Sequence, residues 1–358
     1  MTLNSHNSRR SFITNAGIAG SVGLLGGLAG CLGGDDDGSD DGGSSDDGGS
    51  SGDGFPSSPL TMVIPTGEGG GQDTATRQLA PYFEDEIGAN LSFDYRAGAS
   101  HRIGSRSIIE RADSYEIMST NATTQMANML DDDPQYDVQT DFAMIGNQIG
   151  ESGCFMAQDG DDRFTDVAEF IDYAADNPGE LNVSTSNPTG RNVLTLELMK
   201  LNENVDFNIV PYEGGSEART ALLQGEVDAT HTNIFTGLGI ADGSQYLCVH
   251  ATENRWEGIT GTGVPTYNDV MSNEIPNGAA EVRRFWCMSQ DAADEYPDRY
   301  DMIVDAFANA IQNQSYLDDL AEGDVDESGM VMYLDPEETR QANEEMLSVY
   351  QEYPDLVA

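Results

Sequence analysis

From Leu60 onward, short apolar runs alternate with longer stretches whose apolar residues recur at helical spacing, and this alternation restricts the chain to an α/β fold. Strands are expected at Leu60–Pro65, Leu91–Tyr95, Tyr115–Thr120 and Phe142–Gly146, with helices at Asp73–Ile87 and Ile103–Ala112 between the first three. On the first helix Ala75, Leu79, Ala80 and Phe83 fall on one face. A second series follows: a strand near Cys154–Ala157, then helix Val167–Asp176, strand Leu181–Thr185, helix Val193–Leu201, strand Phe207–Val210, helix Ala218–Gln224 and strand Val227–His231. Most glycines fall at strand ends, where an open parallel sheet makes its ligand contacts. Two such series over roughly three hundred residues predict two lobes of similar size. Residues 59–149 with 249–358 would form one lobe and residues 150–248 the other, with a binding cleft between them. No internal repeat or heptad pattern is visible.

The chain begins differently. Residues 1–30 hold Arg9 and Arg10, no acidic residue, and an apolar, glycine-rich run from Ala16 to Gly30 that stops at Cys31, the layout of an export signal. The run is shorter than the roughly twenty residues a helix needs to cross a bilayer, so a permanent span is not expected. Ser8-Arg9-Arg10-Ser11-Phe12-Ile13 resembles a twin-arginine signal, and Leu28-Ala29-Gly30-Cys31 resembles a lipobox that would make Cys31 the lipidated first residue of the mature chain. Residues 31–58 are almost entirely Gly, Asp and Ser and cannot bury enough apolar surface to offset the entropy of ordering. They read as a flexible, self-repelling tether. The repeated aspartates do not form the twelve-residue calcium loop with its closing glutamate. The expected location is the outer face of the cytoplasmic membrane, held by lipid.

With 63 acidic against 16 basic side chains the formal net charge is -47, a sign that excludes nucleic acid and acidic lipid as partners. Apolar residues still make up 38% of the chain, enough for a core, so the charge belongs to a solvated surface. At molar salt the screening length falls to about 3 Å and the self-repulsion is muted. The expectation is a halophilic protein, stable in high salt.

Cys154, Cys248 and Cys287 are odd in number and widely spaced; buried thiols are the favoured reading, with a Cys248–Cys287 bond as the alternative. Neither they nor the four histidines have metal-ligand spacing, so no metal and no cofactor is implied. His101 lies beside no nucleophile, and His231 either contacts a ligand or closes a strand end. No nucleophile elbow occurs, nor a cysteine with a base, so catalysis is not expected. The turn Gly67-Glu68-Gly69-Gly70-Gly71-Gln72-Asp73 joins a strand to a helix whose first amides would favour an anion. It matches neither a P-loop nor a dinucleotide fingerprint. A carboxylate would satisfy the same amides; a merely tight turn is the alternative.

Taken in order, further motifs carry a family resemblance across residues 60–350. Pro65 followed by Gly69-Gly70-Gly71-x-Asp73, then Arg96-Ala97-Gly98-Ala99-Ser100-His101-Arg102-Ile103-Gly104, then Ser184-Thr185-Ser186-Asn187-Pro188-Thr189-Gly190 with Glu197-Leu198-Met199, are followed by Val210-Pro211-Tyr212-Glu213-Gly214. Leu222, Leu223, Gly225, Val227 and Asp228, and finally Val264-Pro265-Thr266, complete the set. The sequence resembles the extracytoplasmic solute receptors of the tripartite tricarboxylate transporter family. That resemblance implies a type II periplasmic-binding-protein fold, two lobes each with an open, mostly parallel sheet flanked by helices, closing by a hinge over a small carboxylate. It implies ligand contacts from Thr66, Gly70, Gly71, Asp73 and Asn121 in one lobe, and from Thr185, Ser186, Thr189, Gly190, Tyr212 and Thr232 in the other. The implied partners are a large permease and a smaller helical membrane subunit.

Three departures stand out: Glu68 in place of the usual proline, Thr232 in place of a common aspartate, and Asn192 or Val193 where a histidine is usual. Arg191 offers a guanidinium for a bidentate carboxylate bond, or else pairs with the acidic exterior. The rival to a receptor is a secreted enzyme or an adhesive surface protein on the same scaffold.

Overall fold

The computed structural model describes residues 54–357, apart from 187, 189, 213 and 323–325. The export-signal, lipidation and tether readings, Cys31 included, lie outside the described residues, as does Thr189. The strands are β1 (Leu60–Ile64), β2 (Leu91–Tyr95), β3 (Glu116–Asn121), β4 (Phe142–Gln158), β5 (Asn182–Thr185), β6 (Asn208–Pro211), β7 (Ala229–Asn233), β8 (Ser244–Val249), β9 (Glu281–Ser289) and β10 (Val331–Leu334). Ten strands run in the order β2-β1-β3-β9-β4-β7-β5-β6, with β8 and β10 also pairing with β4.

Each end of this array is parallel and its middle is antiparallel. β1 pairs parallel with β2 and β3, and β5 with β6 and β7, each linked by a helical crossover as parallel strands require. β9 returns antiparallel between β3 and β4, and β7, β8 and β10 lie antiparallel to β4. The α/β class and helix-flanked sheets stand as expected; the sheet is mixed instead of mostly parallel, because β4 and β9 run against the outer strands.

The seventeen residues of β4 form one strand where two separate ones were expected. Through Ser152 it pairs with β9, and from Gly153 it pairs with β7 and, a residue later, with β8. Polar and glycine residues from Gly146 to Gly153 resemble a break when read along the chain. In the fold they are buried and bonded: Asn147 Nδ2 donates to Met332 O (2.7 Å), Gln148 Nε2 donates to Ala75 O (2.6 Å), and Gln148 Oε1 accepts from Trp286 Nε1 (3.0 Å). Gly146 is needed for space, since a Cβ there would lie 2.6 Å from the Phe307 ring.

Helices pack on both faces. Met62, Leu79, Phe83, Ile145, Trp286 and Phe307 form one core cluster, while Val63, Met118, Phe142, Phe155, Phe170 and Phe207 belong to another that extends under the β5–β7 half. Neighbours Met62 and Val63 point to opposite clusters, as a strand buried on both sides must. The helix Val167–Asp176 buries Val167, Phe170, Ile171 and Ala174, a single helical stripe. Cys154, Cys248 and Cys287 are free and buried, which settles the thiols against a Cys248–Cys287 bond. Among the described residues no helix is long and apolar enough to cross a membrane.

Candidate functional site

Beyond the ends of β5 and β6 two helices begin without a side-chain cap, Arg191–Glu203 behind Gly190 and Gly215–Leu223 behind Gly214. Uncapped N-terminal amides carry partial positive charge and lack partners within the helix. Gly190 has φ 98°, a left-handed conformation that favours glycine, and its N–H is held by Leu356 O at 2.9 Å. Between the two helix starts lies a cavity of about 320 Å³. Its walls carry the hydroxyls of Ser186, Thr230, Thr232 and Thr236, the amides of Asn192 and Asn233, the imidazole of His231, and two guanidiniums, Arg191 and Arg219.

Arg191 is 8% exposed, yet no carboxylate lies within ion-pair distance of it among the described residues. Its guanidinium donates instead to Ala280 O (2.8 Å) and to Asn233 Oδ1. Burial pulls its pKa down, opposed by Tyr350 and Glu151, but a guanidinium stays protonated in proteins. Half-buried Arg219 likewise has no acidic partner among the described residues, and it lies close enough to Gly215 that a Cβ there would sit 3.0 Å from its Nη1. Elsewhere most arginines are paired: Arg96 with Glu116 at 2.7 Å, Arg163 with Asp228 at 2.7 Å.

His231 is 1% exposed and neither ring nitrogen has a partner among the described residues. Burial, then the neighbouring His250 and Arg191, push its pKa well below the usual range, so the ring is neutral. The His250 ring lies 5.1 Å away, its pKa lowered to about 3 by burial and Arg191. Glu151, on β4 just before the strand passes to the second half, is 4% exposed. Its Oε1 accepts from Asn233 Nδ2 at 3.3 Å, and Oε2 is buried without a partner. Burial raises the Glu151 carboxyl, against the pull of Arg284, Arg191, the Phe235 amide and Asn233.

On the other half, the glycine-rich turn closes on Asp73. Its carboxylate accepts from Gly69 N–H (2.8 Å), Tyr95 OH (2.8 Å) and Arg77 Nε (3.0 Å). Burial would raise its pKa, but the Gly69 N–H, Tyr95 and Arg77 outweigh it and hold the carboxyl below its ordinary value. Thr66 Oγ1 is buried without a partner, and Asn121 caps the next helix by accepting from Thr124 N–H at 2.8 Å. Asn121 faces Arg284 across the β3–β9 ladder, and the Arg284 guanidinium lies 3.2 Å from where a Cβ on Gly71 would be.

The expected residues therefore gather in two places. Ser186, Arg191 and Thr232 line the cavity, with Thr185 and Gly190 at its edge, the Thr185 hydroxyl buried and unpartnered. Thr66, Gly70, Gly71, Asp73 and Asn121 cluster at the start of the helix Gly71–Ile87 and the neighbouring end of β3. Tyr212 stands apart: its N–H donates to Thr185 O, but its ring packs with the apolar cluster around Leu222 and its hydroxyl faces Glu226. Glu68 is exposed. Arg219, Arg284, Glu151 and Asn233 were missed. The signal available for the arginines was scarcity: in a chain with 16 basic residues, each one away from an acid is informative. Among the described residues no group of His, Cys, Asp and Glu could hold a metal ion.

Residues 75–332 match the family described as Tripartite tricarboxylate transporter family receptor. A UPF0065 protein in the gbd 5' region of Cupriavidus necator is 24% identical over 322 residues, 89% of each chain. Two other curated relatives are matched over only 52% and 62% of their own length. Among solved structures, a TctC solute binding protein from Polaromonas aligns with TM-score 0.68 at 20% identity, covering 83% of this chain and 99% of that one. An R. palustris protein solved with adipate aligns with TM-score 0.63 at 21% identity, covering 85% and 98%. At these identities the structures establish the fold alone.

Proposed function

The chain belongs to the tripartite tricarboxylate transporter receptor family, and on that premise we propose that it is an extracytoplasmic receptor that captures a small carboxylate and delivers it to the transporter's membrane subunits. The observation that carries the reading is the pair of guanidiniums, Arg191 and Arg219, turned on one cavity without an acid partner among the described residues of a chain whose net charge is -47. A site kept positive in so acidic a protein favours an anion, and a planar guanidinium matches a carboxylate in bidentate geometry. The N-terminal amides of two helix starts, which have no side-chain cap, add donors, and the neutral His231 adds no competing charge. The R. palustris neighbour solved with adipate supports a carboxylate ligand for this scaffold.

In this proposal Ser186, Thr189, Gly190, Arg191 and Thr232 contact the ligand from one side. Thr66, Gly70, Gly71 and Asn121 contact it from the other, Asp73 acting by holding the glycine-rich turn in shape. The lobes would be residues 59–149 with 249–358, and 150–248, closing about the middle of β4, where the strand changes sheets between Ser152 and Gly153. A lipidated Cys31 and the acidic tether would keep the receptor near a large permease and a small helical subunit.

The test is calorimetric titration of the folded protein at molar salt with a panel of di- and tricarboxylates, repeated with Arg219→Gln. At least one acid should bind, and the substitution should weaken it about tenfold or more, as loss of a desolvated charge pair does. Undiminished affinity in Arg219→Gln places the ligand elsewhere.

A further inference from the structure

The acceptor pattern for N-linked sugar, Asn-x-Ser or Asn-x-Thr, occurs at Asn90, Asn121, Asn182 and Asn313. The fold separates the four. Transfer joins a bulky hydrophilic group to the asparagine, so that amide and the hydroxyl two residues on must both be within an enzyme's reach. Asn121 caps a helix through its amide oxygen, and Thr123 Oγ1 is buried. Asn182 lies on β5, where the fully buried Ser184 donates its hydroxyl to Ala218 O at 2.8 Å. Asn313 is half-buried and accepts from Ser315 N–H at 2.9 Å, which places Gln314 and Ser315 inside a helix.

Asn90-Leu91-Ser92 differs on each count. The helix Gly71–Ile87 stops at Gly88, in left-handed conformation at φ 76°, and the chain then extends into β2. Asn90 and Ser92 are exposed, and neither side chain has a hydrogen-bond partner among the described residues. Two residues apart in extended chain, they stand on one face. The backbone that presents them is held: Asn90 O accepts from Leu60 N–H (3.0 Å), and Leu91 N–H donates to Glu84 Oε1 (2.6 Å). β2 ends the strand order and pairs only with β1, so an enzyme can approach its free edge without unfolding anything else.

We propose that Asn90 is an N-glycosylation site, modified on the folded chain outside the cytoplasm and selected from the four acceptor patterns by exposure. The inference rests on the receptor reading for that location and is independent of the ligand. In the transfer, Asn90 Nδ2 attacks the anomeric carbon of a glycan carried on a lipid phosphate. The carbon–nitrogen bond forms as the bond from that carbon to the phosphate oxygen breaks. The lipid phosphate leaves with the electron pair, and one amide proton passes to a base of the membrane transferase. β2 carries the chain roughly 16 Å from Asn90 to Tyr95, the residue bonded to Asp73, so the sugar stands clear of the candidate site. It lies instead beside the unpaired edge of β2, where it hinders pairing with another chain.

The experiment takes the full-length protein from the membrane fraction of its own cell, digests it with trypsin and reads the peptides by mass spectrometry. Cleavage at arginine puts each acceptor pattern on a different peptide: residues 78–96 for Asn90, 112–163 for Asn121, 164–191 for Asn182 and 300–340 for Asn313. The wild-type 78–96 peptide should carry added mass that fragments in whole sugar units, and the other three should have their unmodified masses. Asn90→Gln and Ser92→Ala should abolish the added mass, and Ser92→Thr should keep it. An unmodified 78–96 peptide in the wild type overturns the inference, as does sugar on any of the other three or sugar that survives Asn90→Gln. Carboxylate binding by a protein without sugar on residues 78–96 sinks this inference and leaves the receptor standing.

Discussion

Replacing Asp73 by alanine separates a residue that shapes the site from one that touches the ligand. The carboxylate, 2% exposed, accepts three hydrogen bonds. Bonds to a charged group contribute about 1.5–3 kcal/mol each before relaxation. Two of these three are discounted: the Arg77 side chain is 46% exposed, so its pair contributes at most about 1 kcal/mol. Gly69 is exposed and its N–H can return to water once Asp73 is gone. A net loss of about 2–3 kcal/mol is expected, mainly from the Tyr95 bond. At about 2–4 °C per kcal/mol, the melting temperature should fall by roughly 4–12 °C.

The pH dependence has a definite sign. Because the folded carboxyl lies below its ordinary value of 3.8, its stabilising contribution is complete above that pH and is lost as pH falls through the folded value. Differential scanning calorimetry of wild type and Asp73→Ala at molar salt, from pH 7 down to about pH 3, reads both effects; the gap between the two should narrow only below the ordinary value. Ligand affinity should drop modestly, through the loosened turn. A variant as stable as wild type that binds nothing would refute this reasoning and make Asp73 a direct ligand contact.

Two further outcomes are expected. The melting temperature of the wild type should rise by about 10 °C or more between dilute buffer and molar salt, since screening acts on a chain with 63 acidic side chains; an unchanged midpoint removes the halophilic reading. Cys31→Ser should move the protein from the membrane fraction to the soluble fraction of its own cell; retention in the membrane would show that lipid on Cys31 is not the anchor.

Where local pattern decides structure, the sequence was legible. Strand Leu91–Tyr95 and helix Val167–Asp176 occur with the expected ends, because alternation or a helical stripe coincides with burial there. β4 was not legible as one strand: Asn147, Gln148 and Ser152 become strand residues only through bonds to Met332, Ala75 and His250, distant in the chain. At the candidate site, loops carrying motif residues were found, whereas the charges were not. Arg284 lies on β9, whose place between β3 and β4 is set by long-range pairing, and Glu151 is one carboxylate among many until burial singles it out. Tyr212 shows the opposite failure, a matched motif whose side chain turns toward Glu226.

The placement of β9 also governs when this protein can fold. The neighbour that completes β3, and the one that flanks the first part of β4, is Glu281–Ser289, near the end of the chain. Until that segment emerges from the ribosome, β3 and β4 keep unpaired edges, and closing the sheet carries the entropy of a very long loop. The half built on β1, β3 and the first part of β4 cannot be completed early in synthesis; its assembly waits for β9 and is joined through β4 to the half whose strands pair among themselves within residues 153–249. A chain built in this way completes its sheet late, when its last third has been made.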